Sequence, residues 1–426
     1  MKRCVIVLLV LAVSVPSISY AYPIDGYLYS GIRRLLKLER IILGELDEKM
    51  PPNGALLITE QINLNLYNDD HGPIIDYPEA DPELQEALNS LFPNLNESYS
   101  VALFDVTPGR PVRYADRQPT RGFQPGSVGK LAVLAGLFCE LENIYPHSFD
   151  DRIALLKERV VSGGPFAVYD EHTVPFYELE GGKHYKRQVK ESDRFSLFEW
   201  ADHMVSVSNN GAASVLWREV LLMRVFQSEY PCLNETDVQE YLKNTPRREL
   251  MDLATDVVSC PLVSLGIEPE EWRLGQMFTR GATGIIPGQG GSIGSPKGLM
   301  KFLIAVESGR VTDPRSSLEI KRLMYMTDRR IRYGASDALD DAALYFKSGS
   351  LYSCDPNKSG PCGKYAGNRF NYMNSVAIVE QPEGAKYIVV LMSNVLSKNS
   401  NFDHRRLAGQ IDEIVKVDVE EATEDQ

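Results

Sequence analysis

The chain has 426 residues, of which 43% are hydrophobic and 24% charged, a composition typical of a globular protein with one large or two ordinary domains. Its formal net charge of −13 argues against nucleic-acid binding, because neutralising phosphates requires a basic surface. The six histidines do not cluster and the cysteine spacing does not resemble a zinc site, so neither a metal nor a cofactor is expected.

The first residues have the pattern of an export signal. Lys2 and Arg3 precede an apolar run, and small residues around Ala21 suit a cleavage site. The run is too short to predict a membrane span, and no later stretch qualifies. The sequence therefore predicts a signal peptide over residues 1–21, and a periplasmic or secreted protein with no membrane span after cleavage.

Export would permit disulfides among the remaining cysteines. Cys354 and Cys362 bracket a polar loop that contains proline and glycine, and this pair is the favoured bridge. A second bridge between Cys232 and Cys260 is also compatible with the sequence. Cys139 follows an apolar helical pattern and is expected to be a buried free thiol.

The elements before the first motif are mostly short. In chain order, the patterns predict an amphipathic helix (27–46), a strand or extended arm (55–66), a short helix (82–92) and a β-hairpin (99–105 with 111–114). The hairpin leads directly into the first of three motifs that could carry chemistry.

This first motif opens an apolar helix after a Pro125-Gly126 chain break. Ser127 stands at the first turn, and Lys130 falls on the same face, within reach of the Ser127 hydroxyl. Burial would lower the pKa of this lysine, so that it could accept the serine proton. By itself, Ser-x-x-Lys fits equally well an N-cap serine followed by a solvated lysine.

The second motif lies where polar residues interrupt two helices. Ser208 could relay a proton there, and Asn210 could orient a substrate carbonyl. A simple helix–helix turn explains the same residues, since Ser, Asn and Gly are ordinary in turns.

The third motif lies on a late strand. Lys347 would offer a cation to a substrate carboxylate, and Gly349 permits a close approach of backbone or ligand. The backbone N–H of Ser350, with that of Ser127, could form an oxyanion hole. An edge strand with one solvated lysine is the alternative.

Helices dominate between the first and third motifs, and strands return near the end. The patterns predict helices at 195–207, 212–225, 296–306, 318–326 and 405–415, strands at 342–350, 372–380 and 386–393, and a disordered acidic tail at 416–426. Strands at both ends with a helical block between them indicate an α+β fold, in which helices flank an antiparallel sheet and an all-helical lobe is inserted.

In this order, the motifs resemble those of the penicillin-recognising serine enzymes, which include serine β-lactamases and D-alanyl-D-alanine peptidases, and most closely class A β-lactamases. The strings that carry the likeness are Ser127-Val128-Gly129-Lys130, Ser208-Asn209-Asn210-Gly211-Ala212-Ala213 and Lys347-Ser348-Gly349, supported by Asp105-Val106-Thr107-Pro108-Gly109-Arg110 and Ser295-Pro296-Lys297-Gly298-Leu299-Met300. The resemblance covers residues 99–415 and implies that family's five-stranded antiparallel sheet. Residues 22–98 form an N-terminal helical and extended segment that it does not cover.

The resemblance also implies roles for the motif residues. Ser127 would be the acylated nucleophile, with Lys130 as its activating base. Ser208 would pass a proton to the departing nitrogen, and Asn210 would hold the acylamide side chain. Lys347, Ser348 and Gly349 would bind the substrate, where the two polar side chains grip its carboxylate. An arginine often supports that carboxylate in the family, and the sequence offers Arg329, Arg330 and Arg332.

One part of the family pattern is missing. Class A enzymes activate the deacylating water with an omega-loop glutamate, in a Glu-x-x-Leu-Asn context that this sequence lacks. Glu249 lies at about the right place, but an exposed helix start is the favoured interpretation of it. The expected substrate is a small molecule or a peptidoglycan-derived peptide. We expect a β-lactamase-like serine hydrolase; the alternatives are a peptidase or penicillin-binding protein with slow deacylation, and a non-catalytic binding protein.

Overall fold

The computed structural model describes residues 25–424, apart from 49, 51–52, 68–77 and 360–361, so the predicted signal peptide lies outside the described residues. The helices are α1 (Gly26–Ser30), α2 (Leu35–Ile42), α3 (Pro82–Ser90), α4 (Lys130–Ile144), α5 (Phe149–Glu158), α6 (Leu197–Val205), α7 (Asn210–Phe226), α8 (Glu235–Asn244), α9 (Arg247–Ser264), α10 (Arg280–Ile285), α11 (Pro296–Glu307), α12 (Pro314–Tyr325), α13 (Pro356–Ser359) and α14 (Asn401–Glu424). Within the described ranges, none of them is both long and apolar enough to cross a membrane.

The strands are β1 (Ser100–Asp105), β2 (Arg113–Arg117), β3 (Val160–Ser162), β4 (Thr173–Tyr177), β5 (His184–Gln188), β6 (Arg194–Ser196), β7 (Trp272–Arg273), β8 (Ile293–Gly294), β9 (Ala343–Ser353), β10 (Phe370–Glu380) and β11 (Lys386–Asn394). Five of them form an antiparallel sheet in the order β2-β1-β11-β10-β9, which confirms the predicted α+β class. β1 pairs with β11, so that Ser100 lies opposite Met392, and β9 forms one edge.

Alternation along the strands divides the core between the two faces of the sheet. Ala102 and Phe104 of β1 belong to the larger cluster, which includes the apolar side chains of α4, α6, α7 and α11. Val101 and Leu103 belong to a second cluster, with α3 and α14. The sheet is therefore covered on both faces, and its β9 edge is available to border a site.

Two predicted elements need correction, and one hairpin was not predicted. The helix expected over 27–46 is two helices, because the chain leaves α1 at Gly31, which has a left-handed φ of 73°. The last helix does not end at 415 but continues to Glu424, so the tail predicted to be disordered is helical through that residue. Residues 163–190 contain the β4–β5 hairpin, which the sequence patterns missed.

The cysteines follow the predictions in part. Cys354 and Cys362 form a disulfide, as expected. Cys232 and Cys260 are both free and exposed, so the second bridge is wrong. Cys260 lies on α9, where its thiol donates to Asp256 Oδ1 one turn earlier. Cys139 is free as predicted, but half-buried.

Two arginines attach the N-terminal segment to α6. Arg33 donates to both carboxylate oxygens of Glu199, at 2.8 and 3.0 Å. Arg34 makes the same two-point contact with Asp202, with both distances 2.6 Å. Only 7% of the Arg34 side chain is exposed, and the Asp202 side chain is fully buried. This buried pair fixes the segment that precedes the region of family resemblance.

Replacing Arg34 with alanine is expected to lower the free energy of unfolding by about 3–5 kcal/mol, because it leaves the carboxylate of Asp202 buried without its cation. The Arg315–Asp150 pair is largely exposed, with 62% and 88% of the two side chains accessible. Arg315→Ala should therefore cost less than about 1 kcal/mol. Denaturant unfolding of both variants checks the difference, and equal losses would contradict it.

Candidate active site

The turn before α4 positions the first motif. Gly126–Gly129 form a short 3₁₀ helix, and Gly126 has a φ of 56°, which glycine adopts without steric cost. Ser127 is half-buried in this turn, whereas Lys130 begins α4 with its side chain fully buried. Lys130 Nζ lies 2.9 Å from Ser127 Oγ. The structure therefore brings together the serine and the lysine that the sequence singled out.

The environment of Lys130 favours its neutral form. Burial lowers the pKa of Lys130 to about 7; the positive charge of Arg329 acts in the same direction, and the negative charge of Asp170 opposes it. A lysine with such a pKa is partly a free amine at neutral pH. This is the form that can accept a proton from Ser127.

The junction of α6 and α7 provides two acceptors for the same lysine. Ser208 has a φ of 61°, which costs a non-glycine residue on the order of 1–3 kcal/mol. Asn209 caps α7, as its Oδ1 accepts from Ala212 N at 2.6 Å. Lys130 Nζ donates to the carbonyl oxygen of Ser208 at 2.7 Å and to Asn210 Oδ1 at 2.8 Å.

The edge strand β9 supplies the third motif. Lys347 is buried, and its Nζ donates to Ser208 Oγ at 2.8 Å. Burial lowers the pKa of Lys347 well below its ordinary value, and the positive charges of Lys130 and the nearby arginines lower it further. Ser348 and Ser350 line the cleft. Lys130 of the first motif and Lys347 of the third therefore both contact the hydroxyl of Ser208, which belongs to the second motif.

Gly349 lets β9 approach the turn that carries Ser127. A Cβ atom on Gly349 would lie 2.1 Å from Pro125 O and 2.9 Å from Ser127 N, so no side chain fits there. A Cβ atom on Gly126 would lie 2.8 Å from Ser350 N. The backbone nitrogen of Ser127 thus lies close to Gly349 and that of Ser350 close to Gly126, so that β9 and the turn are in direct backbone contact.

The structure separates the three candidate arginines. Arg329 and Arg332 line the cleft. Arg332 has a φ of 56° and donates to Gly349 O at 2.8 Å, and burial lowers its pKa to about 10. Arg330 donates instead to Leu339 O at 3.2 Å. The guanidinium of Arg329 has no hydrogen-bond or ion-pair partner among the described residues, and it is available to a ligand.

The cleft has a volume of about 350 Å³ and an uneven distribution of charge. Among the described residues that line it there is no aspartate or glutamate, although the chain as a whole is acidic. Tyr352 and Tyr365 pack edge to face at one end, with ring centroids 5.6 Å apart, and Tyr365 also contacts the Arg332 guanidinium. The cleft therefore suits an anionic ligand with apolar parts.

The structure does not bring Glu249 to this cleft. Glu249 is exposed in the first turn of α9, where a negative charge favours the helix N-terminus. Glu249 therefore matches the exposed helix start favoured for it, and it does not line the cleft. Near Lys130 the wall is formed instead by Phe278, whose ring centroid lies 5.2 Å from Nζ.

Three polar residues near the site were missed. Asn374 Nδ2 donates to Gln124 O at 2.9 Å and ties β10 to the segment before Ser127; its position within an apolar strand was a usable signal. Asp170 and His172 lie in a loop without periodicity, so no sequence pattern marked them. His172 lines the cleft, and Asp170 binds both His172 and the second motif.

A match to a protein-family profile shows the family to which the chain belongs. The profile described as "Beta-lactamase enzyme family" matches residues 83–415. The chain belongs to this beta-lactamase family. The match includes all three motifs and begins within α3, so most of the described N-terminal segment lies outside it. None of the curated proteins compared with the chain matches it.

A solved structure shows that the chain shares the beta-lactamase fold. The TLA-1 extended spectrum beta-lactamase, in a variant form, superposes with a TM-score of 0.50 at 12% identity, covering 78% of this chain and 97% of that one. PBP-A gives 0.48 at 13% identity, covering 82% and 100%. A beta-lactamase from Sphaerobacter thermophilus gives 0.47 at 13% identity, covering 78% and 95%.

Proposed function

We propose that the chain is a serine hydrolase that is acylated at Ser127 by β-lactams or by related amide bonds, such as those of D-alanyl-D-alanine peptides. The observation that carries the proposal is the 2.9 Å contact between Ser127 Oγ and Lys130 Nζ, with burial favouring the neutral amine. Membership of the beta-lactamase family supports hydrolysis as the class of activity.

Acylation would proceed by transfer of one proton and exchange of one bond. Lys130 takes the proton of Ser127 Oγ as this oxygen bonds to the substrate carbonyl carbon. The resulting oxyanion lies against the backbone N–H groups of Ser127 and Ser350. As the carbon–nitrogen bond breaks, Ser208 gives its proton to the departing nitrogen and regains one from its lysine neighbours. The product is an ester at Ser127.

The cations of the cleft favour a substrate that carries a carboxylate. Lys347 and Arg329 offer positive charge, and the hydroxyl of Ser348 offers a hydrogen bond next to it. Ser348 keeps the hydroxyl of the threonine more usual in the family. Asn210 would bind the acylamide group with the amide hydrogen that its contact with Asp170 leaves free.

The lining of the cleft favours slow release of the acyl group, the step in which the ester at Ser127 is hydrolysed. Hydrolysis of the ester needs a base to activate water, and the described lining of the cleft contains no carboxylate. This supports a peptidase or penicillin-binding protein, for which β-lactams form a long-lived ester, over the β-lactamase with fast turnover expected from the motifs.

The test uses the protein without residues 1–21, a fluorescent penicillin and a chromogenic cephalosporin, with Ser127→Ala as the control. A stoichiometric adduct that is absent in the control, with little cephalosporin turnover, supports the proposal. Rapid turnover would identify a β-lactamase instead. Absence of both an adduct and hydrolysis would support the non-catalytic alternative and overturn the proposed acylation. Export through residues 1–21 is part of the proposal, and fractionation of expressing cells tests it.

A further inference from the structure

Asp170 is a nearly buried carboxylate beside a cleft that otherwise holds cations. Only 4% of its side chain is exposed. Its Oδ2 accepts the backbone N–H of Asn210 at 2.6 Å, and its Oδ1 accepts Asn210 Nδ2 at 3.0 Å and lies 2.6 Å from His172 Nδ1. Burial alone would raise the pKa of Asp170, but the contacts with His172, Lys130 and Asn210 lower it overall.

These contacts determine which way the Asn210 amide points. An amide has one donor end and one acceptor end. Because Asp170 takes the Nδ2 end, the Oδ1 end faces Lys130 Nζ at 2.8 Å. The carbonyl of Ser208 takes another N–H of the lysine at 2.7 Å. In the neutral amine, these two acceptors occupy both hydrogens, and the lone pair is left for Ser127 Oγ at 2.9 Å.

We propose that Asp170, held by His172, is a positioning residue that directs the free amine of Lys130 towards Ser127 through Asn210. Its negative charge also sets the pH at which Lys130 accepts the proton. This role rests on the proposed acylation of Ser127. The titratable and charged groups around the lysine are Asp170, His172, Lys347, Arg329 and Arg332. Asp170 is the carboxylate among them, and its charge opposes the effect of Arg329 on the pKa of Lys130.

Asp170→Asn removes the charge and presents an amide nitrogen where Asn210 needs an acceptor. The acylation rate at its pH plateau is expected to fall about 10- to 100-fold, since a misplaced catalytic group costs this much. Acylation slows at low pH because Lys130 becomes protonated, which gives the acid limb of the pH profile. The carboxylate of Asp170 raises the pKa of Lys130, so its removal is expected to move this limb to lower pH. His172→Gln keeps the charge, so it should slow acylation several-fold without moving the limb.

The measurement is the rate of labelling by fluorescent penicillin across pH for the wild-type protein and both variants. Asp252→Asn, an exposed aspartate on α9, is the matched control and should keep the wild-type rate and profile. A wild-type rate in Asp170→Asn, or a lower rate with an unmoved acid limb, overturns the proposal. If circular dichroism shows that Asp170→Asn is unfolded, a wild-type rate in His172→Gln overturns it. A wild-type protein that forms no adduct overturns the acylation as well, whereas a normal adduct with unaffected variants overturns only the positioning role.

Discussion

Phe278→Glu is expected to shorten the life of the penicillin ester at Ser127 by at least about tenfold, since a positioned general base contributes typically 10²–10⁴-fold. Phe278 is half-buried, lines the cleft and lies with its ring centroid 5.2 Å from Lys130 Nζ. A carboxylate there would be partly solvated and could hold a water near the ester. Release of the label after removal of free penicillin measures the effect.

Phe278→Gln is the matched control, because it has nearly the shape of glutamate but no base. It should leave the ester as long-lived as in the wild-type protein. The glutamate should also raise the pKa of Lys130, so that the acid limb of acylation moves to higher pH. Equal acceleration by the two substitutions, or rapid wild-type turnover, would contradict the expectation that the site lacks a water-activating carboxylate.

The affinity of the Ser127→Ala protein for penicillin is expected to fall as pH rises, and binding should take up protons. Burial lowers the pKa of Lys347, and its partner is a neutral hydroxyl, so the empty site disfavours the charged form of this lysine. A bound carboxylate favours the ammonium form and raises its pKa. At pH values between the pKa of Lys347 in the empty site and its pKa in the complex, the affinity should fall up to tenfold per pH unit.

Titration calorimetry in two buffers with different ionisation enthalpies measures the proton uptake. Lys347→Met should abolish the proton uptake due to this lysine and leave only the uptake due to Lys130. Arg329→Gln removes a cation that lowers the pKa of Lys347, so the pH window should move upwards. Binding that releases or takes up no protons in the presence of Lys347 would count against a neutral lysine in the empty site.

The sequence predicted most of the sheet and the three motifs because these depend on local patterns. The strands that became β9, β10 and β11 carry apolar runs bounded by turn residues, and Ser127 follows a Pro-Gly break that marks a helix start. The residues that meet around Ser208 could be brought together only through the family resemblance. Their spacing is too wide for any local rule.

The remaining differences have physical causes that no local pattern reports. Whether Arg329 or Arg330 faces the cleft depends on the turn after α12, in which Arg332 takes a left-handed φ. Asp170 lies in a loop, and its partner Asn210 is 40 residues away in the chain. Glu249 suited a motif position by its place in the sequence, but it begins α9 on an exposed surface outside the lining of the cleft.

The pairing of β1 with β11 has a consequence for how the chain acquires its structure. β1 pairs early with β2, but Ser100 meets Met392 of the central strand β11, so this second neighbour of β1 is available only after nearly all of the chain has been synthesised. Contacts so distant in sequence fold slowly, because a large loop must close first. A nascent chain stopped before Lys386 would lack the central strand, and its β1 edge would be open to aggregation or to a chaperone.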